Sequence, residues 1–203
     1  MKKTIEFECK IITPMFAGTA LPGECELRPP AIKGALRFWW RALHGHLPIK
    51  DLREKEREIF GGVGKAVRRS SFDVAVEHEM VAKMPPQDDL KKKGKLGKWE
   101  EVKGKSFSIN VLDYLAYGKH IRKFRGEYKP DGKEKKEIKY IQKCFLPDQR
   151  FLLKISYSTD NESSMESVWQ ALDCLVRFGG LGSQTRNGWG QFEILNWPDA
   201  LKK

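Results

Sequence analysis

An α+β fold is predicted: two β-α-β units building one antiparallel sheet, with a charged segment inserted between the halves. Three observations predict it. Four segments alternate apolar and polar residues, and two segments repeat apolar residues at helical spacing. These six follow one another as β-α-β and then β-α-β. Between the halves, at about 80–147, the chain changes character and turns basic.

Residues 4–13 alternate and read as a strand that enters a turn at Pro14. Residues 14–31 hold several Pro and Gly and read as a loop. A helix is predicted from near Ala31 to about His46. Its apolar members Ile32, Leu36, Trp39, Leu43 and Leu47 share one face. Asp51 caps a second, short helix, Leu52 to Phe60, which Gly61-Gly62-Val63-Gly64 ends. Ser71 to Glu79 alternates as a strand through Phe72, Val74 and Val76.

Within the insertion, Lys91–Lys98 is rich in Lys and Gly and reads as a flexible hairpin tip or a disordered loop, and Phe107 to Leu112 as a short strand. Lys133–Lys139 is a second charged run, read as solvated surface or as a mobile basic arm on nucleic acid. Phe151 to Ser158 alternates again. A helix capped by Ser163 or Ser164 runs through Phe178, with Val168, Leu172, Leu175 and Val176 inward. A glycine loop follows, then a last strand through Phe192, Ile194 and Leu195. This order is the ferredoxin-like (RRM-like) split βαβ arrangement, a four-stranded antiparallel sheet with both helices on one face.

The chain has 203 residues and 38 Lys plus Arg against 27 Asp plus Glu, a net charge of +11. One domain over 1–203, carrying the insertion, is expected. The basic excess favours an acidic partner, nucleic acid before an anionic membrane surface. No window reaches the roughly 18 apolar residues that span a bilayer. Met-Lys-Lys-Thr-Ile-Glu-Phe-Glu carries no apolar signal region, so a cytoplasmic location is expected. Cys9, Cys25, Cys144 and Cys174 are far apart, without spacing suited to zinc, and read as reduced thiols. No metal and no cofactor is expected.

Two segments carry the functional reading. In Phe178-Gly-Gly-Leu-Gly-Ser-Gln-Thr-Arg-Asn-Gly-Trp-Gly190, five glycines surround one Arg and several small polar residues. Such a loop lets backbone approach a ligand and presents amides to an anion, or it serves a purely structural close approach of helix and strand. On the first helix, Lys33, Arg37 and Arg41 recur every four residues, with Trp40 and His44 on the same arc. This stripe lies roughly a quarter to a third of a turn from the apolar one. Arg contacts phosphate bidentately and Trp stacks on an unpaired base; alternatively, Glu residues elsewhere pair with these cations and Trp39 and Trp40 are both core. Arg28, just before the helix, extends the patch.

Taken together, Ile12-Thr-Pro-Met-Phe16, Leu27-Arg-Pro-Pro-Ala-Ile-Lys-Gly-Ala-Leu-Arg-Phe-Trp-Trp-Arg-Ala42, Ile59-Phe-Gly-Gly62 and the glycine loop resemble the RAMP superfamily of CRISPR-associated proteins. Within it the chain is similar to the first RAMP subunit of type III-B (Cmr) effector complexes. The resemblance implies a ferredoxin-like fold and a non-catalytic subunit that helps hold guide RNA and target RNA beside other subunits of the effector complex. It carries the RNA-contact role onto Lys33, Arg37 and Arg41, with Arg28, Trp40 and His44 beside them. In the loop it falls on Gly180, Gly182, Ser183, Thr185, Arg186, Asn187 and Gly188. Family members are often longer, with an added C-terminal region.

Three alternatives accompany this reading. A guide-RNA-processing endoribonuclease of the same superfold would use His44 or His46 as general acid or base, with Lys33 or Arg41 stabilising the phosphorane. Metal-assisted cleavage would rest on Asp113. A pure assembly protein would associate with little salt dependence, unlike a phosphate binder. Gly61-Gly62-Val63-Gly64-Lys65 is not a P-loop, because Ile59 stands where the first Gly belongs and Ala66 where Ser or Thr belongs.

Overall fold

The computed structural model describes residues 1–63, 67–85, 95–99, 107–110, 115, 120–128, 134–140 and 142–201. In chain order the elements are β1 (Lys2–Ile11), α1 (Pro29–Leu43), α2 (Ile49–Phe60), β2 (Phe72–Glu77), β3 (Lys95–Trp99), β4 (Phe107–Asn110), β5 (His120–Tyr128), β6 (Glu134–Tyr140), β7 (Arg150–Ser158), α3 (Glu162–Phe178) and β8 (Phe192–Ile194). Short 3-10 turns lie at Thr159–Asn161, Thr185–Asn187 and Asp199–Leu201.

The main sheet runs β2-β7-β1-β8, every neighbour antiparallel. Alternation along the strands sorts the side chains. Phe7, Cys9 and Ile11 of β1, Phe151, Leu153, Ile155 and Tyr157 of β7, and Phe72 of β2 bury against the helices. Ile32, Leu36 and Trp40 of α1 and Val168, Leu172 and Leu175 of α3 cover that face. Two β-α-β units therefore share one core, as the ferredoxin-like expectation requires.

The opposite face of the sheet is a ladder of charge pairs. Lys154 reaches Glu6 and Glu77 at 3.1 and 2.9 Å, and Lys10 reaches Glu193 and Asp148 at 3.3 and 3.4 Å. Carboxylates interleave with the lysines there, so this face does not form a cationic aromatic platform of the kind on which RRM sheets stack bases.

Helix boundaries follow local chemistry. α1 starts at Pro29, earlier than predicted, because Pro suits the first helical turn and Arg28 is extended (φ −103°, ψ 138°). α2 likewise starts at Ile49, with Asp51 in its first turn rather than at the cap. The insertion holds two hairpins, β3–β4 and β5–β6. Lys95–Lys98, expected within a hairpin tip or a disordered loop, is hairpin strand, and so is most of the second charged run, from Glu134 onward. Strand pairing satisfies backbone donors and acceptors whatever the side chains are, so charge alone did not exclude it. Residues 91–94 and Lys133 lie outside the described residues, as do Gly64–Ala66 and Asp113.

Candidate nucleic-acid interface

The register of α1 decides what each of its faces does. Ile32, Leu36 and Trp40, four apart, form the core stripe, and Trp40 is 1% exposed. Trp39, expected in the core, is only half-buried, and Leu43 is exposed. The stacking role expected of Trp40 is thereby corrected. Its ring lies under α3, its Nε1 donates to Ser167 Oγ at 3.0 Å, and His44 stacks on it with centroids 4.2 Å apart. At about 100° per residue Trp39 and Trp40 stand about 40° and about 60° from the axis set by Ile32 and Leu36, on opposite flanks, so packing under α3 and not spacing selects Trp40 for the core.

Lys33, Arg37 and Arg41 do form one ridge, and each already has a partner within the chain, although the Arg41 side chain stays half-exposed. Lys33 Nζ donates to Phe72 O at 3.0 Å and lies 4.7 Å from the centre of the Phe72 ring. Burial lowers the pKa of that ammonium. Arg37 donates to Phe60 O and Gly61 O at 3.1 and 3.2 Å. Arg41 grips Glu56 bidentately, and Glu56, 7% exposed, also neutralises Arg37 at 3.3 Å. The three cations hold the C-terminal end of α2 and the start of β2 onto α1. One buried carboxylate on a separate helix, Glu56, pairs with two of them, the intrachain alternative to RNA contact.

The glycine loop is also tied inward. Leu181 N–H donates to Gly190 O, Gly190 N–H to Pro14 O, and Ser183 N–H and Oγ to Phe16 O. A Cβ on Gly182 (φ +94°) would stand 2.7 Å from Phe16 O, and one on Gly180 would stand 2.9 Å from Gly190 O. These glycines permit the loop to lie against the segment that follows β1. Asn187 Nδ2 and Trp189 Nε1 both donate to Leu115 O at 2.9 Å. Gly188, at φ +83°, accepts Thr13 Oγ1 at 2.7 Å. The expected row of free amides is thus reduced. Gly182, Thr185 and Arg186, on the groove side, keep backbone N–H groups with no acceptor among the described residues.

Between the loop and α1 lies a groove of about 670 Å³. Ala31, Ala35, Phe38 and Trp39 form its α1 wall, Phe178 to Gly182 with Thr185 and Arg186 the opposite wall, and Glu26 stands on its rim. Phe38 and Phe178 are 57% and 71% exposed. Trp39 sits between them, its ring centroid 5.5 Å from Phe38 and 6.3 Å from Phe178. Arg186 is exposed and has no ion-pair partner among the described residues. Arg28, also exposed, stands at the start of α1, next to Leu27 of the groove.

The loop and the cationic ridge therefore do not form one site. At about 100° per residue, Arg37 and Ala35 point to opposite flanks of the core stripe. Sequence reasoning missed Phe38 and Phe178. Their signal was an apolar residue off the core stripe and a Phe immediately before the glycines. His44 Nδ1 lies 2.8 Å from Trp40 O, and the His44 and His46 rings are 6.3 Å apart. No cluster of three or more His, Cys, Asp or Glu capable of holding a metal occurs among the described residues. The four cysteines are free thiols, and burial pushes Cys9 and Cys144 up to about 12. No described helix is long and apolar enough to cross a membrane.

Similarity to known proteins agrees with this architecture. The chain is 28% identical over 194 residues to CRISPR system Cmr subunit Cmr1-1 of Pyrococcus furiosus, covering 94% of this chain and 47% of that one. It is 25% identical over 200 residues to Cmr1-2 of the same organism, covering 96% and 97%. The crystal structure of Cmr1 from Pyrococcus furiosus in its apo form superposes with a TM-score of 0.61 at 21% identity, over 98% of this chain and 51% of that one. A chain of the type III-B Cmr-beta complex bound to cognate target RNA superposes with a TM-score of 0.50 at 13% identity, over 96% and 59%. The chain thus spans about half the length of Cmr1-1 and of the crystallised Cmr1. The RAMP superfamily model matches residues 8–193, from β1 through β8, and the chain belongs to the RAMP superfamily.

Proposed function

We propose that the chain is an RNA-binding, non-catalytic subunit of a type III-B CRISPR effector complex, holding single-stranded guide or target RNA in the groove between α1 and the glycine loop. One observation carries this reading: Phe38, Trp39 and Phe178 form an open aromatic cluster beside Arg186, a cation without an ion-pair partner among the described residues. Bases stack on such rings with little regard to identity, while an arginine neutralises the backbone. Arg28 extends the cationic path along the start of α1. Sequence specificity then comes from guide pairing rather than from this subunit. The similarity to Cmr subunits and to a chain of a complex bound to cognate target RNA supports the same assignment, with other effector subunits as neighbours.

The nuclease alternative is weaker. His44 stacks on a buried Trp and its Nδ1 faces a backbone carbonyl, away from the groove. The test is binding of a short unstructured RNA across a salt series, with the RNA recovered and checked for cleavage. Phe38→Ala/Phe178→Ala should weaken binding about tenfold or more with only a small loss of thermal stability. Arg186→Ala should reduce the salt slope by about one. Wild-type affinity in both variants would sink the groove assignment. Cleavage abolished by His44→Ala or His46→Ala would identify a nuclease instead.

A further inference from the structure

β8 is only three residues long, so it covers Cys9–Ile11 and leaves the N-terminal half of β1 as a sheet edge. Asn196 ends the ladder. Leu195 N–H donates to Glu8 O at 2.8 Å. Asn196 Oδ1 accepts the Glu8 N–H at 2.7 Å, and its Nδ2 donates to Glu6 O at 3.2 Å. Even-numbered residues of β1 thus turn their backbone groups toward this edge, while Ile11 N–H, odd-numbered, points to the β7 side. The N–H and C=O of Thr4 and the N–H of Glu6 face outward without a partner among the described residues.

A second groove, about 780 Å³, runs directly beside that edge, between β1, α3 and the turn at Asp199–Leu201. Ile5, Leu43, Trp169, Trp197 and Leu201 make it apolar. Its α3 rim carries Glu162, Glu166 and Asp173, with Lys3 closing on Glu162 at 2.7 Å and Arg177 on Asp173 at 2.8 Å. On the other side of the sheet, Glu6 and Glu8 border the same edge, and Glu8 has no ion-pair partner among the described residues. An otherwise basic chain thus presents an acidic, partly unpaired strand edge next to an apolar trough.

We propose that this edge of β1 is a strand-addition site for an extended segment of a partner polypeptide in which apolar residues alternate with lysine or arginine. Main-chain groups of the segment would complete the ladder at Thr4 and Glu6. Side chains of one parity would enter the trough, and those of the other would stand opposite Glu6 and Glu8. A second copy of the chain fits less well: antiparallel self-pairing centred on Ile5 offers the trough one apolar side chain, Ile5, flanked by Lys3, because Phe7 is committed to its own core. The site lies apart from the aromatic groove and does not depend on the RNA reading.

The test is selection of short random peptides displayed on phage against the full chain, with counter-selection on Thr4→Pro. That substitution removes one outward N–H and leaves the β7 ladder intact. Recovered peptides should alternate apolar and basic residues and slow exchange of the Thr4 and Glu6 amides. They should lose about tenfold affinity or more on Glu8→Lys, which alters no core residue. Peptides without alternation, equal binding to both variants, or no enrichment over Thr4→Pro would each overturn the proposal. A dimer that Thr4→Pro dissociates would overturn it in favour of a second copy.

Discussion

Arg41 donates from Nε and Nη2 to the two carboxylate oxygens of Glu56, at 2.6 and 2.7 Å, across the packing of α1 on α2. Arg37 shares the same carboxylate. Glu56→Gln removes the charge that both guanidiniums face there and leaves a buried amide poorly matched to them. It should destabilise the fold by about 2–3 kcal/mol, lowering the melting temperature by roughly 5–10 °C. Glu58→Gln, which breaks the exposed pair with Arg68, should change stability by about 0.5 kcal/mol or less. Thermal melts of the two variants check the contrast.

Trp40 holds the core and Phe38 lines the groove, whereas the sequence pattern pointed to Trp40 for base stacking. Trp40→Ala opens a cavity between α1 and α3 and should cost about 3–5 kcal/mol. Phe38→Ala removes an exposed ring and should change stability by about 1 kcal/mol or less while weakening RNA binding. Urea unfolding and RNA titration on the same two preparations separate the effects. Equal stability losses would contradict the placement of the two rings.

Gly182 and Gly188 both have positive φ, yet only Gly182 is crowded. Gly188→Ala meets open space and should cost about 1 kcal/mol, the left-handed penalty alone. Gly182→Ala also drives a methyl into Phe16 O and should cost about 1–3 kcal/mol more. Its Ser183 amide should exchange faster, because the bond to Phe16 O is the contact displaced. Hydrogen exchange at Ser183 measures this directly.

Burial raises Cys9 and Cys144 from the usual 9.0 to about 12. The folded chain therefore keeps both thiols protonated where the unfolded chain ionises them. Their contribution to stability is complete below about pH 9 and is lost as pH rises toward about 12. At pH 8, alkylation of Cys9 and Cys144 should be negligible in the folded chain and rapid in denaturant. Mass spectrometry of iodoacetamide-treated protein, folded and unfolded, checks it.

The triple variant Lys33→Ala/Arg37→Ala/Arg41→Ala should lose stability before it loses RNA. Each side chain answers a protein carbonyl or Glu56. A melting temperature unchanged from wild type would show that the ridge is free for phosphate after all.

The fold class, the order of the six core elements and the existence of a cationic ridge and a glycine-rich loop are all legible in the amino-acid sequence. Periodicities of two and 3.6 are local properties, readable wherever one face of an element is buried. The tertiary structure decided what those features touch. Trp39 and Trp40 are adjacent, so a small rotation of α1 exchanges core and groove, and only packing against α3 selects it. Glu56 lies 15 positions from Arg41, and no spacing rule announces their pair. Phe16 and Gly182 are far apart in sequence, so whether the loop's amides served an anion or the chain itself rested on a long-range contact. The aromatic groove exists because α3 brings Phe178 beside Trp39, a juxtaposition that one-dimensional patterns do not encode.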